Sequence, residues 1–123
     1  MAYQQITEYL KRLLSSNLEE SFLIISPKGN GDVYAQFLPL SQEELYCETV
    51  SNEFLPEKLQ LNSQKISQLK KLGFELGEED VNFHRDFEVK NDTAIEELSK
   101  LVLKIFVEIY GVVVTDFDFE YEE

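Results

Sequence analysis

Apolar side chains recur at helical spacing near the start of the chain. Tyr3, Ile6, Leu10, Leu13 and Leu14 share one side and Glu8, Lys11 and Arg12 the other, so the spacing predicts a one-faced helix from Tyr3 to Leu18. Ser21 to Ser26 then carries Phe22, Leu23, Ile24 and Ile25, a run short and β-branched enough to predict a buried strand. Pro27 to Gly31 ends it in turn residues. Val33, Ala35 and Phe37 next share one strand parity, and Pro39 to Gln42 reads as a second turn. A third strand sets Glu44, Tyr46, Glu48 and Val50 opposite Leu45, Cys47, Thr49 and Ser51, with Cys47 pointing inward. Three strands with short links predict an antiparallel meander.

A connector containing Pro56 leads to a well-punctuated helix. Asn62 is its expected N-cap, Leu61 and Ile66 fit a hydrophobic staple, Ile66, Leu69 and Leu72 face the core, and Gly73 stands where a left-handed C-terminal residue is wanted. Phe74 to Asp80 reads as an acidic loop. Val81, Phe83, Phe87 and Val89 then alternate with Asn82, His84, Asp86 and Glu88, a strand with one wet face. Arg85 breaks the alternation, because it falls on the apolar parity. A charge there needs a carboxylate or carbonyls, so it is read either as a structural anchor paired with a buried acid or as a ligand-binding cation.

Thr93 and Glu96 form a capping-box pattern that opens a helix running to about Tyr110, before Gly111. Its expected core stripe is Leu98, Leu101, Val102, Ile105 and Ile109. Leu103, Val107 and Tyr110 gather on nearly the opposite side, which implies cover from the C-terminal segment, from another chain, or from extra burial within the chain. The tail alternates aromatic Phe117, Phe119 and Tyr121 with Asp116, Asp118 and Glu120. Such alternation suits an edge strand guarded by charge, a segment offered to a partner, or a frayed end. The fold class is therefore α+β in one domain, residues 1–123: helix, three-strand antiparallel meander, helix, strand, helix, and an extra C-terminal strand if the tail joins the sheet.

Charge narrows the partners. Eleven Lys and Arg against 24 Asp and Glu leave a net charge of −13, which repels phosphate backbones and anionic membrane surfaces. No nucleic acid and no membrane are expected as partners, since no apolar run approaches the ~20 residues of a membrane helix. A lone Cys47 and no signal segment point to a reducing, cytoplasmic setting. His84 is the one imidazole, on the polar parity of a strand other than that of Cys47, so no nucleophile and base pair is expected. Metal-ligand spacings are absent, and Gly29 and Gly31 fit a hairpin turn better than a phosphate loop. Neither a cofactor nor a catalytic residue is assigned, and the chain reads as no enzyme.

Four stretches carry a resemblance: Ser51-Asn52-Glu53-Phe54-Leu55-Pro56, Leu69-Lys70-Lys71-Leu72-Gly73-Phe74, Asn82-Phe83-His84-Arg85, and the helix from Ala94 to Gly111. In these the chain resembles the type III secretion chaperone-like superfamily, and most nearly its stand-alone, non-secretory branch of small bacterial proteins, found for instance in cyanobacteria. The resemblance follows element order over most of the chain. It implies an antiparallel sheet backed by helices, a homodimer, and a surface that holds a protein or peptide segment in extended form. The chain departs from the secretion type in having one strand after the second helix instead of two, unless the tail supplies another. The expected function is noncatalytic, chaperone-like or adaptor-like binding, with Leu103, Val107 and Tyr110 at a chain-to-chain contact and Phe117, Phe119 and Tyr121 pairing at an edge. The alternative is a small-ligand or enzymatic module with a pocket between sheet and helices and Arg85 as its anion anchor.

Overall fold

The computed structural model describes residues 3–16, 20–76 and 82–123. Leu18, Gly77 and Val81, which the sequence pattern assigned to elements or turns, lie outside these residues. Helix α1 (Tyr3–Leu14) buries Ile6, Leu10, Leu13 and Leu14. Strands β1 (Phe22–Pro27), β2 (Ala35–Ser41) and β3 (Glu44–Thr49) follow as an antiparallel meander. Helix α2 (Ser63–Lys71), strand β4 (Glu75–Leu76), strand β5 (Phe83–Glu88), helix α3 (Asp92–Lys104) and strand β6 (Phe117–Glu122) complete the order. The fold is α+β, with one open sheet ordered β4-β5-β3-β2-β1-β6.

Alternation sorts the sheet into a dry face and a wet one. Leu23, Ile25, Ala35, Phe37, Leu45 and Cys47 point inward and are at most 1% exposed. Helix α1 lies over β1 and β2 and packs against α3, where Thr7 Oγ1 donates to Ser99 Oγ at 2.7 Å. Ser99 is fully buried, and its own hydroxyl donates to the Ile95 carbonyl, so neither hydroxyl is stranded in the core.

Four local expectations are corrected. Pro39 lies within β2 and opens no turn: β1 pairs only as far as Phe37, so the missing N–H of Pro39 leaves no ladder bond to β1 unmade, and a register shift follows between Pro39 and Ser41. Glu75 and Leu76, expected in a loop, pair with His84 and Phe83 as β4. Asn82, expected on the wet face, is buried, where its Oδ1 accepts from the Ser51 N–H and its amide donates to Tyr34 Oη. The N-cap of α3 is Asn91, whose Oδ1 accepts from the Ala94 N–H at 2.8 Å, so Thr93 falls inside the first turn.

The end of α3 holds a larger departure. Ile105 to Ile109 forms a π-turn, with the Tyr110 N–H donating to the Ile105 carbonyl at 3.1 Å. An extra residue in one turn rotates the succeeding side chains by roughly 100° about the helix axis. Tyr110 is thereby carried inward, where it is 5% exposed and donates its hydroxyl to the Val50 carbonyl. Gly111, at φ 69°, then reverses the chain, and Phe117 returns to the fully buried ring of Phe106, 6.2 Å away. The C-terminal segment thus supplies part of the cover that the apolar girth of this helix called for.

Candidate functional site: the β6 edge and the outer sheet face

Among the described residues β6 is bound on one side only. It pairs antiparallel with β1 from Phe22 opposite Glu122 to Pro27 opposite Phe117. One main-chain bond fixes which of its groups are engaged: the Lys28 N–H donates to the Asp116 carbonyl at 3.0 Å. Hydrogen-bonded pairs alternate with non-bonded ones in an antiparallel ladder, so the main-chain groups of Asp118, Glu120 and Glu122 turn to β1. Those of Phe117, Phe119 and Tyr121 turn away from the sheet. The Phe117 N–H is taken by Asp116 Oδ1 at 2.9 Å, which leaves Phe119 and Tyr121 to present open donors and acceptors along the edge.

Aromatic packing keeps this edge in place. Phe119 stacks on Tyr9 of α1 with ring centroids 4.2 Å apart, and Tyr121 meets the same ring edge-on at 5.8 Å. Arg12 lies over Tyr121 at 4.6 Å and over Tyr9 at 5.2 Å. Phe117 is buried against Phe106 and Phe119. A six-residue strand is thus held flat by one face of its side chains while its outward backbone stays open.

The opposite face of the sheet is acidic. Beside β6 with Asp118, Glu120 and Glu122, the outward positions of β1 and β2 are the half-buried Phe22, Ile24, Gln36 and Leu38. On the far side Glu48 pairs His84, Tyr46 pairs Asp86, and Glu44 sits directly opposite Glu88. Lys90 reaches Glu88 at 3.9 Å from beyond the end of β5. Within the strands themselves no outward position carries Lys or Arg.

The remaining expected residues are dispersed. Leu103 is half-buried and Val107 is 45% exposed, but Tyr110 is internal and cannot join them in a surface patch. Arg85 has no carboxylate within ion-pair distance among the described residues. Its Nη1 instead donates to the Leu72 carbonyl at the end of α2, and its guanidinium lies 4.2 Å from the Phe87 ring centroid. A cation at a helix C-terminus meets the negative end of the helix dipole, which explains a charge on the apolar parity. Gly73 lets the side chain pass: it has φ 92°, and a Cβ there would stand 3.1 Å from Arg85 Cδ and Nε.

Room for a small-molecule reaction is lacking where the alternative reading wanted it. The space between sheet and helices, lined by Cys47, Thr49, Phe74, Phe87, Leu98 and Phe106 among others, cannot hold a water-sized molecule. An open cavity of about 470 Å³ does lie beside α2, lined by Lys65, Gln68, Lys71, Leu72, Lys104, Glu108 and Ile109, without Arg85. Cys47 points inward and His84 outward on neighbouring strands, so the two cannot act together, and burial pushes the Cys47 thiol well above its ordinary pKa. Among the described residues no cluster of His, Cys, Asp or Glu could hold a metal ion, and no helix is long and apolar enough to cross a membrane.

An open antiparallel sheet, helices on one face and a backbone edge left unpaired make a frame for holding polypeptide. The family model described as T3SS (YopN, CesT) and YbjN peptide-binding chaperone 3 matches residues 2–117, and the chain belongs to this family of peptide-binding chaperone modules. Searches among curated proteins and among solved structures return no match. The family match stops at Phe117, where β6 begins, so the edge strand is described by this chain's own residues.

Proposed function

We propose that this protein binds an extended segment of another polypeptide without chemical change, by adding it as a further strand beside β6. The observation that carries the reading is the row of outward main-chain groups at Phe119 and Tyr121 on a strand fixed from behind by Tyr9. Strand addition draws its affinity from such groups, and the flanking side chains set its selectivity. A chaperone of this kind keeps its client segment extended until the client passes on.

A neutral peptide alternating Thr and Val tests this. Bound beside β6, it slows hydrogen exchange at the Phe119 and Tyr121 amides, and Tyr121→Pro removes the effect because proline has no N–H to offer. Tyr121→Ala separates loss of the ring from loss of the donor and retains most of the protection. If no extended peptide protects those two amides, strand addition at β6 is wrong.

The homodimer contact proposed on the last helix rests on Leu103 and Val107, since Tyr110 is internal.

A further inference from the structure

From the acids beside that edge, we infer that the client segment carries Lys or Arg at alternate positions, with apolar residues between them. The inference rests on strand addition at β6 and names the chemistry of the strand that is added. A strand beside β6 must place every second side chain on the outer face, about 5 Å from Asp118, Glu120 and Glu122. The intervening side chains fall on the inner face, next to Phe119 and Tyr121. Acids at every second strand position recur at about 6.8 Å, and an extended chain with cations at every second position has the same repeat.

The rest of the outer face adds a long-range field. Glu44 opposite Glu88 and Tyr46 opposite Asp86 continue the negative surface across the sheet, on strands three and four places from β6, so they attract a cationic segment only at a distance. A second copy of this chain is a poor occupant. Two β6 edges paired with each other would bring Asp118, Glu120 and Glu122 against the same acids, in a protein of net charge −13.

Three peptides of one length decide the matter: Lys-Val-Lys-Ile-Lys-Val-Lys, its Thr counterpart and its Glu counterpart, each dye-labelled and followed by fluorescence anisotropy. The Lys peptide is expected to bind at least about tenfold tighter than the Thr peptide, and to lose that advantage as salt rises from about 0.05 M to about 0.3 M. Asp118→Lys with Glu120→Lys reverses the preference towards the Glu peptide. The same charge change at distant exposed sites, Glu57→Lys with Glu97→Lys, leaves it in place. Thermal melts verify that each variant folds, and Asp118→Asn with Glu120→Gln serves if the lysine pair does not. Equal weakening by the near and distant pairs would show attraction to net charge alone and overturn the inference. Equal affinity for Lys and Thr peptides, with β6 amides protected by both, overturns it while strand addition stands. Absence of protection with every peptide removes strand addition itself.

Discussion

The two edges of this sheet differ in length and in what holds them. Among the described residues β4 has two, Glu75 and Leu76, both exposed, and Leu76 leaves 54% of its surface in water. β6 has six, with every inward ring resting on another aromatic residue. A short unsupported edge offers too few main-chain bonds to order a visiting chain against its entropy, whereas a long edge braced from behind offers more bonds and is itself already ordered. The proposed docking therefore falls on the β6 side, and among the described residues the β4 side offers little to pair with.

Breaking the brace gives the largest expected effect. Phe117→Ala is expected to cost about 3–5 kcal/mol in urea unfolding and to release exchange along β6, because a buried ring between Phe106 and Phe119 is lost. Leu76→Ala on the other edge is expected to stay within about 0.5 kcal/mol. Comparable losses for the two would remove the contrast between the edges.

What anchors the short edge is tested by Arg85→Leu. The Leu72 carbonyl loses its charged donor where α2 gives way to β4, so a loss of about 1–3 kcal/mol is expected in the same unfolding measurement. Ligand-dependent stabilisation that vanishes while the melting point holds would instead return Arg85 to an anion-binding role.

Midway between the edges, alkaline pH probes the core. Burial keeps the Cys47 thiol protonated in the folded chain, and Tyr110 is shifted upward by the same cause. Once pH exceeds about 8.5, the unfolded chain releases a cysteine proton that the folded chain retains. The folded state then binds more protons, so stability falls as pH rises, by up to about 1.4 kcal/mol per pH unit for each such group. Cys47→Ala is expected to flatten the slope between about pH 9 and 10, with Tyr110 contributing above that. An unchanged slope in the variant would separate the alkaline loss from the buried thiol.

Val107→Glu gives the smallest change in stability, about 0.5 kcal/mol or less at an exposed site. Its measurable consequence is mass: sedimentation is expected to show the variant losing self-association while both edges keep their exchange rates. The same mass for both proteins would remove the proposed contact at Leu103 and Val107.

Strand parity made the inner face legible in advance, down to Cys47 beside Leu45, since a one-residue slip would have put the whole apolar set in water. The ends of α2 were legible too, because Asn62 and Gly73 act through local bonds that sequence spacing encodes. Thr93 misled because Asn91, two residues earlier, could cap equally well, and the choice depended on where β5 ended. Tyr110 misled because a π-turn leaves no mark in hydrophobic spacing: the residues look helical, and the phase changes unseen. Arg85 was recognised as anomalous and carbonyls were among the partners expected, but which one, that of Leu72 at the end of α2, no residue type announces. The edge itself was readable only as an alternation of rings and acids at Phe117 to Glu122; which side of it stays open depends on pairing with β1.

That pairing spans nearly the whole chain, from the first strand to the last, so its ladder closes over the longest loop of the sheet and gains least from local contacts. The strand beneath it reads Phe-Leu-Ile-Ile, without charge and rich in β-branched residues. Left bare, such an edge templates cross-β stacking of like chains. By covering it with an alternate row of carboxylates, β6 exchanges a sticky border for one whose charges repel a like edge.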